Sequence, residues 1–328
     1  MSLRSRTLNV GAGRCRRESD DVGVRPLAYL VGAVLLWGTS FAVTKSAYAA
    51  LPPMYVVWFR MVVALVAFLP LLPLVKRPVY RAGDWKLLAL AAMFIPCLYY
   101  ALEGFAIQYT TSSQAGVVAA VMPLIVAINA WAVLRERPTT RTIVAILVSM
   151  AGVAALSLGG TSQASAPNPV LGNLLELGAM FAAAGATLTI KRLSSRYDPL
   201  LITGLQMAVG AVFFAPLALA SAPVDLATVT LPAWAAVAYL GVGCGLGGFA
   251  LYNSGLRLVP ATRAALTINL VPAVAMLTGW LALGETMAPL QIAACALIVG
   301  SVVYAEFRST RPPRPAPATA PELAAERR

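Results

Sequence analysis

Four ionisable side chains, Lys45, Arg60, Glu103 and Glu176, sit inside stretches of sequence that are otherwise soluble in oil. A charge near the middle of a bilayer costs at least ~2.5 to 3.5 kcal/mol on insertion scales, so each needs a partner, a water-filled cavity or a route to the surface. Two bases and two acids at similar depth can neutralise one another. Arg60, in VVWFRMVVALVAF, has three readings. It can snorkel to the outer headgroups, pair with Glu103 or Glu176, or present its guanidinium fork to a substrate carboxylate. Glu103 shares a helical stripe with Pro96, Tyr99 and Tyr100. There it suits either proton coupling or recognition of a substrate amine, against a reading in which it stays ionised beside a base. Trp37, Tyr99, Asn253 and Asn269 add aromatic and hydrogen-bonding surface, and with Glu103 they are the expected lining of a substrate cavity. Each of them could equally be interhelical packing, where a polar bond is worth about 0.6 to 2 kcal/mol.

The elements that must carry these residues are membrane helices. Of the 328 residues 59% are hydrophobic and 12% charged, with mean hydropathy +0.77. That is far from the composition of a soluble domain. A span needs roughly 20 apolar residues, and such segments fall at approximately 28–49, 54–75, 86–107, 114–134, 141–159, 171–190, 199–220, 233–255, 262–283 and 289–307. The expectation is an all-α integral membrane protein of ten transmembrane helices, since backbone in lipid must satisfy itself and no barrel-like alternation is present. The first segment is followed by nine more and has no convincing cleavage site, so it reads as a helix and not as a secretion signal.

The net charge of +12 follows one rule. All of the Lys and Arg except Lys45 and Arg60 fall in the tails or in alternate loops, on one side of the expected membrane. The opposite loops, QYTTSS, GGTSQASAPNP and SAPVDLATVTLP, carry no base. The positive-inside rule then puts both termini in the cytoplasm, and the basic residues read as a topology signal instead of a nucleic-acid surface. The tails, 1–26 and 308–328, have the composition of solvated, disordered segments. With no histidine and no paired cysteines at ligand spacing, neither a metal site nor a disulfide framework is expected. No cofactor is expected, and without a Walker A stretch ATP does not power the protein directly.

The chain repeats itself. Pro123, Trp131, Leu134 and Glu136 recur as Pro272, Trp280, Leu283 and Glu285, and Lys45, Pro53, Met61, Phe68 and Pro70 as Lys191, Pro199, Met207, Phe214 and Pro216. This is a duplication of about 150 residues, with a first five-helix repeat over 27–160, an external linker at 161–170 and a second repeat over 171–307. Five spans per copy invert the second against the first, the arrangement of many secondary transporters. Interrupted helices at matching positions are the best pointer to their sites. MFIPCLYY carries Pro96, and GVGCGLGG places Gly245 opposite it; Pro123 and Pro272 form a second matched pair. These four are the expected helix breaks and gating points. Glycines also serve simply to let helices approach. Glu136 and Glu285 read as helix-end capping or salt-bridging contacts, or as gating residues. Arg60 and Glu103 align with Gln206 and Tyr252, so neither charge is duplicated.

The opening LLWGTSFAVTKSAYAALPPMYVVWFRMVVALVAF, the block YYALEGFAIQYTTSSQAGVVAAVMPLIVAINAWAVLRE and the second copy's WLALGE resemble the EamA domain of the drug/metabolite transporter superfamily. The likeness covers about residues 27 to 307. It departs from the pattern at Leu134-Arg135-Glu136, where the family usually has L-G-E. The resemblance implies a bacterial cytoplasmic-membrane exporter or facilitator of amino acids or related small metabolites, with a central cavity between the halves. The expected partners are a small-molecule solute and the bilayer, with proton coupling left open and the oligomeric state unassigned. A non-transporting scaffold has no need of an inverted duplication, and a membrane enzyme would need convergent nucleophile, base or metal ligands that the sequence does not cluster.

Overall fold

The computed structural model describes residues 25–40, 43–44, 46–109, 118–158, 168–221, 223–283 and 288–306. Lys45, Glu285, residues 1–24 and the 308–328 tail lie outside the described residues, as does most of the 161–170 linker. Every regular element among the described residues is helical. In chain order they are α1 (25–40), α2 (Pro53–Phe68), α3 (Asp84–Ala92), α4 (Tyr99–Tyr109), α5 (Met122–Asn129) and α6 (Thr140–Leu158). Then follow α7 (Pro169–Leu193), α8 (Pro199–Leu219), α9 (Leu231–Ala238), α10 (Phe249–Leu258), α11 (Ala261–Ile268), α12 (Val271–Leu283) and α13 (Pro289–Glu306). Among the described residues six helical stretches are long and apolar enough to cross a membrane: Pro53–Leu74, Asp84–Ala106, Val170–Leu193, Pro199–Leu219, Leu231–Leu258 and Ala261–Thr278. Shorter apolar helices cover Met122–Leu134, Thr140–Ala155 and Pro289–Ala305.

The packing is that of a protein dissolved in lipid. Large apolar side chains such as Val66, Leu147, Val212 and Leu231 point outward, with Trp131 and Trp280 also exposed. The interior is dominated by alanine, with Ala33, Ala64, Ala106, Ala184 and Ala264 fully covered. Lipid tails are as apolar as leucine, so helices gain nothing by hiding leucine and instead associate where small residues allow close approach. Thus α2 runs along α8, α4 along α7, α6 along α13 and α5 against α11. At one such crossing a Cβ on Gly241 would lie 2.8 Å from the Arg60 carbonyl oxygen.

Several helices are interrupted. Between α3 and α4 the chain is π-helical over Met93–Leu98, with Ile95 fully extended (φ −135°, ψ 122°). Proline explains this, because Pro96 has no amide hydrogen and its ring pushes the preceding residue out of the helical region. Between α9 and α10 a second π-helical stretch covers Tyr239–Gly248, where five glycines weaken the helical preference. Pro123 and Pro272 each occupy the first turn of a helix, α5 and α12, just after a two-residue turn, where a missing amide hydrogen costs nothing.

The helix that begins as α5 and continues π-helically over Ala130–Leu134 ends at Arg135, which has φ 57° and ψ 21°. The Glu136 amide turns back to the Ala130 carbonyl at 3.1 Å. This left-handed position favours glycine, and the second copy has Gly284 there. The departure from L-G-E is therefore a backbone matter: an arginine holds a glycine's conformation. Arg135→Gly is expected to raise stability by roughly 0.5–1 kcal/mol, the left-handed cost less glycine's entropy, read as a higher thermal midpoint in detergent. A lower midpoint would mean that the arginine side chain contributes more than its backbone costs.

Candidate functional site

The interruption at Ile95 frees a carbonyl inside the bundle, and a side chain of α8 takes it. Gln206 Nε2 donates to the Ile95 oxygen at 2.8 Å. Gln206 is buried, and its Oε1 has no partner among the described residues. One helical turn further along α8, a Cβ on Gly210 would meet the Pro96 ring at 2.6 Å, so the break is seated directly on this helix.

The second interruption is held from α1. The Trp37 indole donates to the Cys244 carbonyl at 3.1 Å, and the Cys244 thiol donates back to the Leu36 carbonyl at 3.2 Å. Trp37 also meets Phe249 edge-on at 5.2 Å and Tyr252 at 5.4 Å. Its indole nitrogen would lie 2.6 Å from a Cβ on Gly248, so only glycine leaves room for the indole there.

Beyond the first break, α4 presents Tyr99, Tyr100 and Glu103. The Tyr99 hydroxyl donates to Glu103 Oε1 at 2.7 Å, and the two tyrosine rings pack at 5.1 Å, edge to face. Arg60, from α2, donates through Nη2 to the Tyr100 hydroxyl at 3.0 Å, with its guanidinium 4.8 Å from that ring's centre. Two tyrosines therefore stand between the arginine and the glutamate. Glu103 lies within electrostatic reach of Arg60 and of Glu176, Lys45 being outside the described residues, but among the described residues the guanidinium's hydrogen bond goes to a phenol and not to a carboxylate. Glu176, on α7, is buried within electrostatic reach of Glu103. Arg60 Nε and Glu176 Oε2 have no partner among the described residues.

Asn253 and Asn269 are buried, at 0% and 3% exposure. Asn253 Nδ2 donates to Thr203 Oγ1 at 3.0 Å, and Asn269 sits at the turn between α11 and α12; among the described residues Asn253 Oδ1 and Asn269 Nδ2 have no partner. In a folded interior most buried polar groups are paired. Half-satisfied donors and acceptors in the interior, among them Gln206 at the first break, are what a polar solute could engage.

The basic end of the bundle is closed by a polar clasp that composition alone did not reveal. Lys191 Nζ, at the end of α7, donates to the carbonyls of Leu256 at 2.8 Å and Val259 at 2.6 Å, closing the end of α10. Arg192 reaches the Val133 carbonyl at 3.0 Å, and Glu136 Oε2 accepts from the Ala261 amide at 2.9 Å, so Glu136 caps α11. Asp84 is 4% exposed and pairs with Arg196 at 2.8 Å while accepting from Tyr197 at 3.1 Å and the Arg81 amide at 2.9 Å. The sequence showed Lys191 and Arg196 only as members of a charged loop. The signal that was present is the recurrence of Lys45 as Lys191, a lysine at the end of a span in both copies.

An all-helical, apolar-surfaced chain with paired helix interruptions around a polar interior defines a membrane transporter class. The model of the EamA-like transporter family matches twice, at residues 25–158 and 170–306, and the chain belongs to that family. It is 27% identical over 292 residues to the uncharacterized transporter YetK of Bacillus subtilis (strain 168), covering 86% of this chain and 87% of that protein. It is 26% identical over 236 residues to a probable terminal-alkyne amino-acid exporter of Streptantibioticus cattleyicolor, covering 72% and 77% respectively. A crystal structure of another protein superposes with TM-score 0.73 over 87% of this chain and 96% of its own, at 20% identity, which carries the fold alone.

If the Gln206 amide holds the Ile95 carbonyl, Gln206→Met, close in volume and without the donor, should lower stability by about 1–3 kcal/mol. Thermal unfolding in detergent reads this out. An unchanged midpoint would mean that the freed carbonyl has another donor.

Proposed function

We propose that this chain is a secondary transporter that exports an amino acid or a related small polar metabolite by alternating access between two inverted five-helix repeats, over 27–160 and 171–307. The observation that carries the reading is the reciprocal holding of the two helix breaks. Gln206, in the second copy, holds Ile95 in the first, and Trp37, in the first, holds Cys244 in the second. The other contacts exchange in the same way. The Tyr239–Gly248 stretch packs on α2 as the Met93–Leu98 stretch packs on α8, and α7 lies on α4 as α1 lies on α10. Exchanging the conformations of two such halves converts an opening on one face into an opening on the other. The clasp of Lys191, Arg192 and Asp84 closes the basic end, which by the positive-inside rule faces the cytoplasm of a bacterial inner membrane.

The amino-acid class is supported by the Streptantibioticus relative, a probable amino-acid exporter, and by the chemistry of the cluster. Arg60, with a free Nε, suits a carboxylate, and Glu103 beside Glu176 suits an amine or a proton. Lys45 would join this group from the end of its span, and Pro123 and Pro272 would hinge the helices that follow them. A scaffold would be expected to satisfy its interior polar atoms; among the described residues Arg60, Glu176, Gln206 and Asn253 each leave one open.

The deciding experiment is efflux from proteoliposomes loaded with a pool of amino acids and small metabolites, for wild type and Glu103→Gln, with and without a pH gradient, read by mass spectrometry. Wild type is expected to release a solute faster under the gradient. The variant is expected to lose that gradient dependence while still exchanging solute. Release by neither protein under any gradient, with both correctly folded, would remove the transporter reading. Equal gradient dependence in both would remove Glu103 as the proton site.

A further inference from the structure

The two ends of the bundle are not fastened alike. At the basic end the α2–α3 connection lies along the α7–α8 connection, one from each copy, and the Val79 amide donates to the Arg196 carbonyl at 3.3 Å. Asp84, the first residue of α3, stands at the centre of this contact. Its Oδ1 pairs with Arg196 Nη2 at 2.8 Å and its Oδ2 accepts from Arg196 Nη1 at 2.8 Å, so the guanidinium grips the carboxylate with both prongs. The Tyr197 hydroxyl and the Arg81 amide donate to Oδ2 as well. Asp84 and Tyr197 are both buried. A bidentate, charge-assisted pair is among the stronger polar contacts a protein makes, and this one joins the two copies.

The duplication says what stands at the corresponding place on the opposite end. Arg196 and Tyr197 align with Ala50 and Leu51, between the matched pairs Lys45 with Lys191 and Pro53 with Pro199. Asp84 falls on the stretch Thr230 to Ala233, between the matched pairs Pro70 with Pro216 and Pro96 with Gly245. None of these counterparts is charged. Leu51 is buried instead in an apolar cluster with Ala47, Val56 and Val237, with Val229 packed against it. Arg192, which reaches the Val133 carbonyl of the other copy, aligns with Ser46, whose hydroxyl donates to the nearby Val43 carbonyl at 2.8 Å. Apolar contact in lipid is weak and without direction. The polar cluster is also approached from that side: Tyr48, 41% exposed, lies within electrostatic reach of Arg60 and Glu103.

We propose that Asp84, Arg196 and Tyr197 form a one-sided latch between the copies, which holds the resting protein closed at its basic end and open toward the other, and which each transport cycle must break. The inference rests on the transport reading and adds the resting state of that cycle. Two inverted copies with matched contacts would exchange between two states of similar free energy. A strong bond present in only one of the states shifts the population toward it, and interface ion pairs are a recurrent place for such a bias.

The test follows opening of the basic end in the full chain in lipid nanodiscs, through a cysteine at Ala91. That residue is 1% exposed and lies about two turns deeper than Asp84 on the same helical face. The reaction rate of the native cysteines is subtracted. Asp84→Asn and Arg196→Gln should each speed modification of Ala91→Cys by a small thiol reagent about tenfold, the effect of one charge-assisted hydrogen bond. The two together should act no more strongly than either alone. Lys86→Gln, an exposed base two residues from Asp84, should change nothing. A bulky maleimide adduct formed first on Tyr48→Cys, wedging the opposite end open, should return the Asp84→Asn chain to the parent rate. A fast rate that survives the adduct would mean local fraying and overturn the latch, as would unchanged rates in both single variants or an equal rise in Lys86→Gln. If Asp84→Asn fails to fold by thermal unfolding, Arg196→Gln with the adduct decides. Efflux by wild type with no change at Ala91 sinks the latch alone; the expected rates without efflux of any solute leave a latched two-state bundle and remove the transport reading.

Discussion

Backbone in hydrocarbon has no water to turn to, so every interrupted helix must find a donor for each carbonyl it releases. That constraint organises this protein. The break at Ile95 is tolerable because Gln206 reaches it, and the π-helical stretch around Cys244 because Trp37 does. Leaving such a carbonyl unpaired costs about 1–3 kcal/mol, comparable to the free energies that bias a conformational equilibrium. The polar side chains nearest the breaks are therefore the fasteners of the fold, and those left with an open atom are the ones available to a solute.

The second constraint is the weakness of apolar association within lipid. Alanine is the commonest buried residue where helices meet, beside buried leucines and valines such as Leu256 and Val126, while many other large apolar side chains face outward. Such contacts depend on close approach, so they tolerate sliding and rocking but not added bulk. Gly248 under the Trp37 indole and Gly241 over the Arg60 carbonyl are two places where one methyl would displace a fastener.

Much of this was legible in the sequence. Hydropathy located the apolar segments, and Pro96 and the glycine run of GVGCGLGG marked the two interruptions because proline and glycine act through backbone geometry, a local property. The partners of the breaks were not legible, because they come from distant segments. Gln206 read only as the neutral counterpart of Arg60, and Trp37 as cavity lining. Charges in the apolar segments suggested direct neutralisation, whereas Tyr99 and Tyr100 separate Arg60 from Glu103, an arrangement that depends on side-chain direction and not on spacing. Lys191 and Arg196 were read through the charge rule, with Lys191 also the counterpart of Lys45, and Asp84 was not singled out at all, because that rule records the side of a membrane for bases and says nothing of pairing. At Arg135 the residue type suggested only a surface charge, and the left-handed backbone beneath it became visible with the structure.

The asymmetry between the copies then takes on a physical meaning. Arg60 and Gln206 occupy corresponding positions on α2 and α8, yet the glutamine holds a broken backbone while the arginine, whose own copy faces the glycine-rich stretch, reaches a phenol and keeps Nε open. Trp37 already holds the second break, so α2 is released from that structural duty. Glu103 and Tyr252 diverge in parallel, with a carboxylate on one side and a neutral phenol on the other. A duplicated fold needs each break fastened once, and a position freed from fastening can carry charge toward a solute. On that reasoning the polarity of the interior follows from which helix holds which break, and it leaves the charge of the pair on one side, with Arg60 and Glu103.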